Sequence, residues 1–99
     1  MVELHFPEAG SLKAKRKDLS SLKAQLQRRL GVAVSEVGSQ NTWQRSQLAC
    51  ALTSGSMDQL ERAVDRLEAF VLDRVPEHAT FERHTVSIQD LREGVGYSG

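Results

Sequence analysis

The sequence predicts an α+β domain whose six elements follow one another in the order β-α-β-β-α-β. Two long segments repeat apolar residues at helical spacing, and four short segments show the apolar alternation of half-buried strands. The 99 residues suffice for one hydrophobic core, and a composition of 39% hydrophobic and 26% charged residues is that of a globular domain.

The first strand and the first helix lie in the N-terminal third. The strand begins at Val2, has alternating apolar residues and ends before the breakers Pro7 and Gly10. The helix is predicted from 12 to 30, with Ser11 as its N-cap and Gly31 as its stop. One face of this helix carries Leu12, Leu19, Leu22, Leu26 and Leu30.

A hairpin follows the first helix. The second strand is predicted over Val32–Val37 and the third over Gln47–Thr53, with a polar connection between them. On the third strand Leu48, Cys50 and Leu52 share one face.

The second helix and a last strand complete the pattern. Ser56 and Gln59 fit a capping box, and the helix is expected to end near Val75, before Pro76. The last strand is predicted over Thr80–Gln89, where imperfect alternation suggests a bulge or an edge position.

Each predicted helix has one apolar stripe, which must be buried against a sheet. The ferredoxin-like arrangement, a four-stranded antiparallel sheet with both helices on one face, satisfies this requirement with right-handed crossovers. Residues 1–90 are expected to form this single domain, and residues 91–99 a flexible C-terminal tail.

Composition excludes several classes of protein. A single cysteine, Cys50, cannot form an intrachain disulfide, and its apolar neighbours favour a buried, inert thiol. No secretory signal peptide or membrane-spanning apolar stretch is visible, so a cytoplasmic protein with no membrane association is expected.

The net charge of zero conceals an asymmetry. Residues 1–55 carry eight basic and four acidic residues, a net charge of +4, and the remainder carries −4. Four of the cations open the first helix, where the peptide dipoles already repel positive charge. Such a cluster can bind phosphate, although a solvated basic face is the alternative interpretation. The cations are Lys13, Lys15, Arg16 and Lys17.

The connection between the second and third strands contains Trp43 beside Gln44 and Arg45. An aromatic ring next to an arginine can stack on a base and hold a phosphate, but a structural loop anchor or a dimer contact is the more common role. Glu36 is the one acid nearby and a possible partner for Arg45.

No catalytic or metal-binding pattern is visible. The three histidines lack metal-ligand spacing, and no nucleophile elbow, phosphate loop or dinucleotide fingerprint occurs. We therefore expect no cofactor and no enzymatic activity. The predicted open sheet face lacks the aromatic residues of an RNA recognition motif, and small residues would let a second copy approach closely. These outward positions are Glu3, His5, Gln47, Ala49, Ala51 and Thr53.

The segments SLKAKR at 11–16 and EVGSQNTWQR at 36–45 resemble the YlxP-like family, a bacterial family of unknown function. The resemblance extends from Val2 to about Ile88 and implies a ferredoxin-like fold and a link to translation, because such genes often neighbour those for translation initiation and ribosome maturation. It brings no established catalytic residue. Family members usually have several apolar residues before the position of Val2, so either the first strand is short or the true start of the protein lies upstream.

The leading hypothesis is a non-enzymatic factor that binds ribosomal RNA or the ribosome. The alternative is a homo-oligomeric adaptor that assembles through the open sheet face and binds no nucleic acid, and a phosphorylated small ligand ranks third. The residues expected to contact RNA or another anion are Lys13, Lys15, Arg16, Lys17, Gln40, Trp43, Gln44 and Arg45.

Overall fold

The computed structural model describes residues 1–5, 12–38, 45–75, 79–89 and 92. The elements follow the predicted order, with strands β1 to β4 and helices α1 and α2. Their bounds are β1 Val2–His5, α1 Leu12–Leu30, β2 Ala33–Gly38, β3 Arg45–Ala51, α2 Met57–Arg74 and β4 Ala79–Phe81.

The four strands form one antiparallel sheet in the order β2-β3-β1-β4. In this arrangement β1 lies inside the sheet, with Val2 opposite Leu48 on β3 and opposite Phe81 on β4. Both helices pack on the sheet face that carries Val2 and Leu4, and together they enclose one hydrophobic core. The ferredoxin-like α+β fold predicted from the sequence is therefore confirmed.

Helix α1 has the predicted bounds because its leucine stripe meets the sheet. Leu19, Leu22 and Leu26 are all buried, which removes their apolar surface from water. The helix ends where Gly31 adopts a left-handed φ of 64° and donates its N–H to the carbonyl of Gln27.

Helix α2 confirms half of the predicted capping box. The Ser56 hydroxyl accepts the N–H of Gln59 at 3.1 Å, as expected for an N-cap. The Gln59 side chain does not return to the Ser56 backbone, however. It accepts the Ser54 hydroxyl at 3.3 Å, and the Ser56 N–H donates to that same hydroxyl at 3.4 Å.

The last strand is shorter than predicted. Strand β4 ends at Phe81, and residues 82–87 have no regular structure, although residues 80–89 were expected to form one strand. Its neighbour β1 begins at Val2, opposite Phe81, and the described pairing of the two segments ends with Met1 and Glu82. Val86 and Ile88 are accordingly 58% and 64% exposed and do not continue the core.

The predicted tail falls almost entirely outside the described residues, since positions 93–99 are not among them. Among the residues that the structure describes, neither helix is long and apolar enough to cross a membrane.

Candidate functional site

The described residues of both sequence motifs are located at one end of the sheet. His5 at the end of β1 lies opposite Arg45 at the start of β3, and β2 ends nearby at Gly38. Helix α1 follows β1 in the chain and begins with Leu12. We call this end the basic edge, defined by Lys13, Lys15, Arg16, Lys17 and Arg45.

Three cations of the basic edge are exposed on the first turns of α1. Lys13, Arg16 and Lys17 project into solvent, and the first turn of the helix contains no acidic residue. None of the three forms a salt bridge with another described residue. Their charges add to the positive end of the helix dipole, so this surface favours an anion.

Lys15 differs from these three cations because it is buried. Its side chain is only 1% exposed, and its Nζ lies 3.9 Å from Oε1 of Glu36 on β2. Burial lowers the pKa of Lys15, the Glu36 carboxylate opposes that change, and the neighbouring Arg16 adds to it. Part of the positive charge predicted to face an anion is thus balanced inside the molecule.

Ser46 completes a polar cluster with this pair. Its side chain is fully buried, and its hydroxyl donates a long hydrogen bond of 3.5 Å to the same Glu36 oxygen. Lys15 comes from α1, Glu36 from the end of β2 and Ser46 from the start of β3, so the cluster joins three elements at the basic edge. We call these three residues the inner polar cluster.

Regular alternation along β2 places Glu36 on the sheet face that meets the helices, where it can reach Lys15. The register between β2 and β3 shifts after Glu36, which lies opposite Leu48, so that Gly38 lies opposite Gln47. Val37, which lies between these two paired positions, is 49% exposed.

Arg45 belongs to the other face of the sheet. It is exposed and precedes the buried Ser46, so the alternation of β3 directs it away from the helices, toward the open face that also carries His5. Glu36 therefore contacts Lys15 and Ser46, on the opposite face from Arg45. Gln40, Trp43 and Gln44 lie outside the described residues.

The open sheet face has the character predicted for it. Alternation directs Glu3, Gln47, Ala49 and Ala51 away from the helices, and Thr53 follows the end of β3. Within the described strands, no Phe, Tyr or Trp side chain lies on this face, because Phe81 packs against the core. Base stacking of the RNA-recognition-motif kind has no platform there.

The described residues contain no group of three or more metal-binding side chains. Cys50 is half-buried, and its burial raises the pKa of the thiol, so the neutral form predominates at pH 7. The inner polar cluster could have been anticipated, since Glu36 has the same alternation as Val32 and Val34, and Lys15 lies within the leucine stripe of α1.

Comparison with known proteins places the chain among proteins without an assigned activity. The family model described as "Protein of unknown function (DUF503)" matches residues 1–88. The "Uncharacterized protein YlxP" of Bacillus subtilis (strain 168) is 41% identical over 70 residues, which cover 71% of this chain and 75% of that protein. No solved structure matches the chain.

Proposed function

The chain belongs to the DUF503 family of proteins of unknown function, and we propose that it is a non-enzymatic factor that binds ribosomal RNA or the ribosome. The three exposed cations Lys13, Arg16 and Lys17 on the first turns of α1 carry this proposal. They would contact phosphates of the RNA backbone in the cytoplasm, in keeping with the translation link that the family resemblance implies.

An extended polyanion suits this surface better than a small phosphorylated metabolite. A small ligand requires several groups that converge on one enclosed position. The three cations instead lie on one exposed side of the helix, within little more than one turn, and are open to solvent. A backbone that presents one negative charge per nucleotide can meet such side chains in succession.

The inner polar cluster supports the proposal indirectly. Glu36 directs its carboxylate inward to Lys15 and Ser46, so its negative charge does not offset the exposed cations. Arg45 adds a cation at the same edge on the other face of the sheet. An RNA strand that crosses the edge could contact both faces.

Helix α1 provides a matched control for the test. The triple variant K13Q/R16Q/K17Q removes three charges from its start, and K23Q/R28Q/R29Q removes three charges from its second half. Both variants have the same net charge, so only the position of the lost cations distinguishes them. Binding to labelled single-stranded segments of ribosomal RNA is measured by fluorescence anisotropy over a range of salt concentrations.

The first triple variant is expected to bind at least about tenfold more weakly, and its log–log salt slope is expected to flatten by about 2, since each phosphate contact contributes about 0.7. The second triple variant should bind nearly as tightly as the unmodified protein. Equal losses in both variants would disprove the assignment to the start of α1. Absence of salt-sensitive binding in the unmodified protein would disprove RNA binding altogether.

A second candidate function is homo-oligomeric assembly through the open sheet face. The observation that favours it is the combination of small side chains at Ala33, Ala49 and Ala51 with the 49% exposed Val37 on this face. A second copy could approach such a surface closely and cover it.

Light scattering tests the assembly. An oligomer is expected at micromolar concentration, and Ala49→Arg should dissociate it, because the new charge would be buried at the interface. A mass of 11.0 kDa at all concentrations, that of one chain, would rule out this candidate.

A further inference from the structure

A cavity of about 260 Å³ lies at the end of the sheet opposite the basic edge. The start of β1, the end of β3 and one face of α2 surround it, and segment 82–86 forms its outer wall. Its lining includes the side chains of Val2, Cys50, Leu60, Val64, Leu67 and Phe81.

The outer wall is held at two points. The backbones of Glu82 and Met1 exchange two hydrogen bonds of 2.9 Å, which extend the pairing of β4 with β1. The Arg83 guanidinium then donates to Glu68 and to Asp65 on α2, each at 2.6 Å. Segment 82–86 therefore spans from the sheet to α2 and leaves a space beneath it.

The positive groups at the mouth of the cavity are bound by acceptors of the protein itself. Arg83 is paired with Glu68 and Asp65, and the Met1 amino group donates to the Glu82 carbonyl. His84 Nε2 also lies 3.3 Å from a Glu82 oxygen. Because Arg83 and the Met1 amino group are already bound by the protein's own acceptors, neither is available to select an anion, and the apolar side chains of the cavity favour an uncharged ligand.

We propose that this cavity binds a small, uncharged, mainly apolar molecule. A cavity of about 150 Å³ accommodates benzene, so one of this size accommodates a compact molecule of about ten non-hydrogen atoms. Such a ligand would cover the partly exposed apolar side chains of Leu60, Val64 and Phe81. The ligand site is separate from the basic edge and does not depend on RNA binding.

5-Fluoroindole is a suitable probe because it is uncharged, compact and detectable by ¹⁹F NMR. Its resonance is expected to broaden and shift saturably, with a dissociation constant on the order of 0.1 mM for a ligand of this size. Val64→Phe places a larger side chain in the cavity and should weaken binding by about tenfold or more, since the ligand loses its buried surface. Leu72→Phe makes a comparable change on the same helix, at a residue that is 41% exposed and does not line the cavity.

Cys50 provides a second measurement that needs no variant. Because its side chain lines the cavity, saturating 5-fluoroindole should slow its reaction with a thiol reagent by about fivefold or more, through loss of access. This rate decides the question if the Val64→Phe protein does not fold. Equal binding by the two phenylalanine variants, an unchanged Cys50 rate, or no saturable binding to the unmodified protein would each overturn the proposal.

Discussion

Glu36→Gln is expected to lower the free energy of unfolding by about 2 kcal/mol. The substitution keeps an oxygen that accepts the Ser46 hydroxyl but removes the charge 3.9 Å from the Lys15 ammonium. At that distance two unit charges attract by about 4 kcal/mol at an effective dielectric constant of about 20, and by about 1 kcal/mol in bulk water. Glu36 is 21% exposed and Lys15 1% exposed, so an intermediate value follows.

A double-mutant cycle isolates this interaction. Lys15→Met removes the ammonium together with its desolvation cost and leaves an apolar side chain in the leucine stripe of α1. This change is expected to keep stability within about 1 kcal/mol of the unmodified protein. In the K15M background, Glu36→Gln should then cost less than about 0.5 kcal/mol, because the charge it acts on is gone.

Urea unfolding followed by circular dichroism at pH 7 gives the free energy of unfolding of the unmodified protein, the two single variants and the double variant. For a domain of this size each kcal/mol corresponds to a change in melting temperature of about 4–8 °C, so the expected effect is well above experimental error. If Glu36→Gln costs the same in both backgrounds, the two side chains are not coupled, and the structural role assigned to the inner polar cluster is wrong.

The remaining predictions concern the same buried lysine, the core and the helix ends. Burial lowers the pKa of Lys15 in the folded state below 10.5, so the folded state loses this proton at a lower pH than the unfolded state does. As pH rises toward 10.5, the unfolded state therefore holds more protons than the folded state, and the free energy of unfolding increases with pH. Alkaline urea titrations should therefore show the unmodified protein gaining stability relative to K15M. Leu26→Ala should cost about 3 kcal/mol because the side chain is fully buried. Val37→Ala, at an exposed position, should cost less than about 0.5 kcal/mol. Thermal unfolding of Ser56→Ala, which lacks the N-cap, should show a loss of about 1 kcal/mol. Gly31→Ala should show a similar loss of about 1 kcal/mol because of its left-handed φ.

The sequence was sufficient to predict the fold because local and global signals agree. The leucine spacing of α1, the cap at Ser56 and the stop at Gly31 each act within a few residues, so composition and spacing reveal them. The predicted length of β4 is too great because Val86 and Ile88 alternate with polar residues, as they would in a strand. Strand pairing depends on a distant partner, and that partner cannot be read from the local pattern.

The candidate site was predictable in part. The sequence located the basic start of α1 and placed Lys15 within the leucine stripe, but it assigned Glu36 to Arg45 as a possible partner. The decisive information is which face of the sheet each position of β2 and β3 occupies, because a shift of one residue moves a side chain to the other face. The cavity beneath segment 82–86 depends on tertiary contacts of Arg83 that no spacing rule encodes.

The position of β1 between β3 and β4 affects how the polypeptide can fold during its synthesis. The strand is made before both of its neighbours, yet Val2 pairs with Leu48 and with Phe81. Until β4 leaves the ribosome, one side of β1 lacks its backbone partners, and every contact it makes closes a long loop. A nascent chain that ends after β3 is therefore expected to remain open to proteases, and resistance should arise only once Ala79–Phe81 has emerged from the exit tunnel.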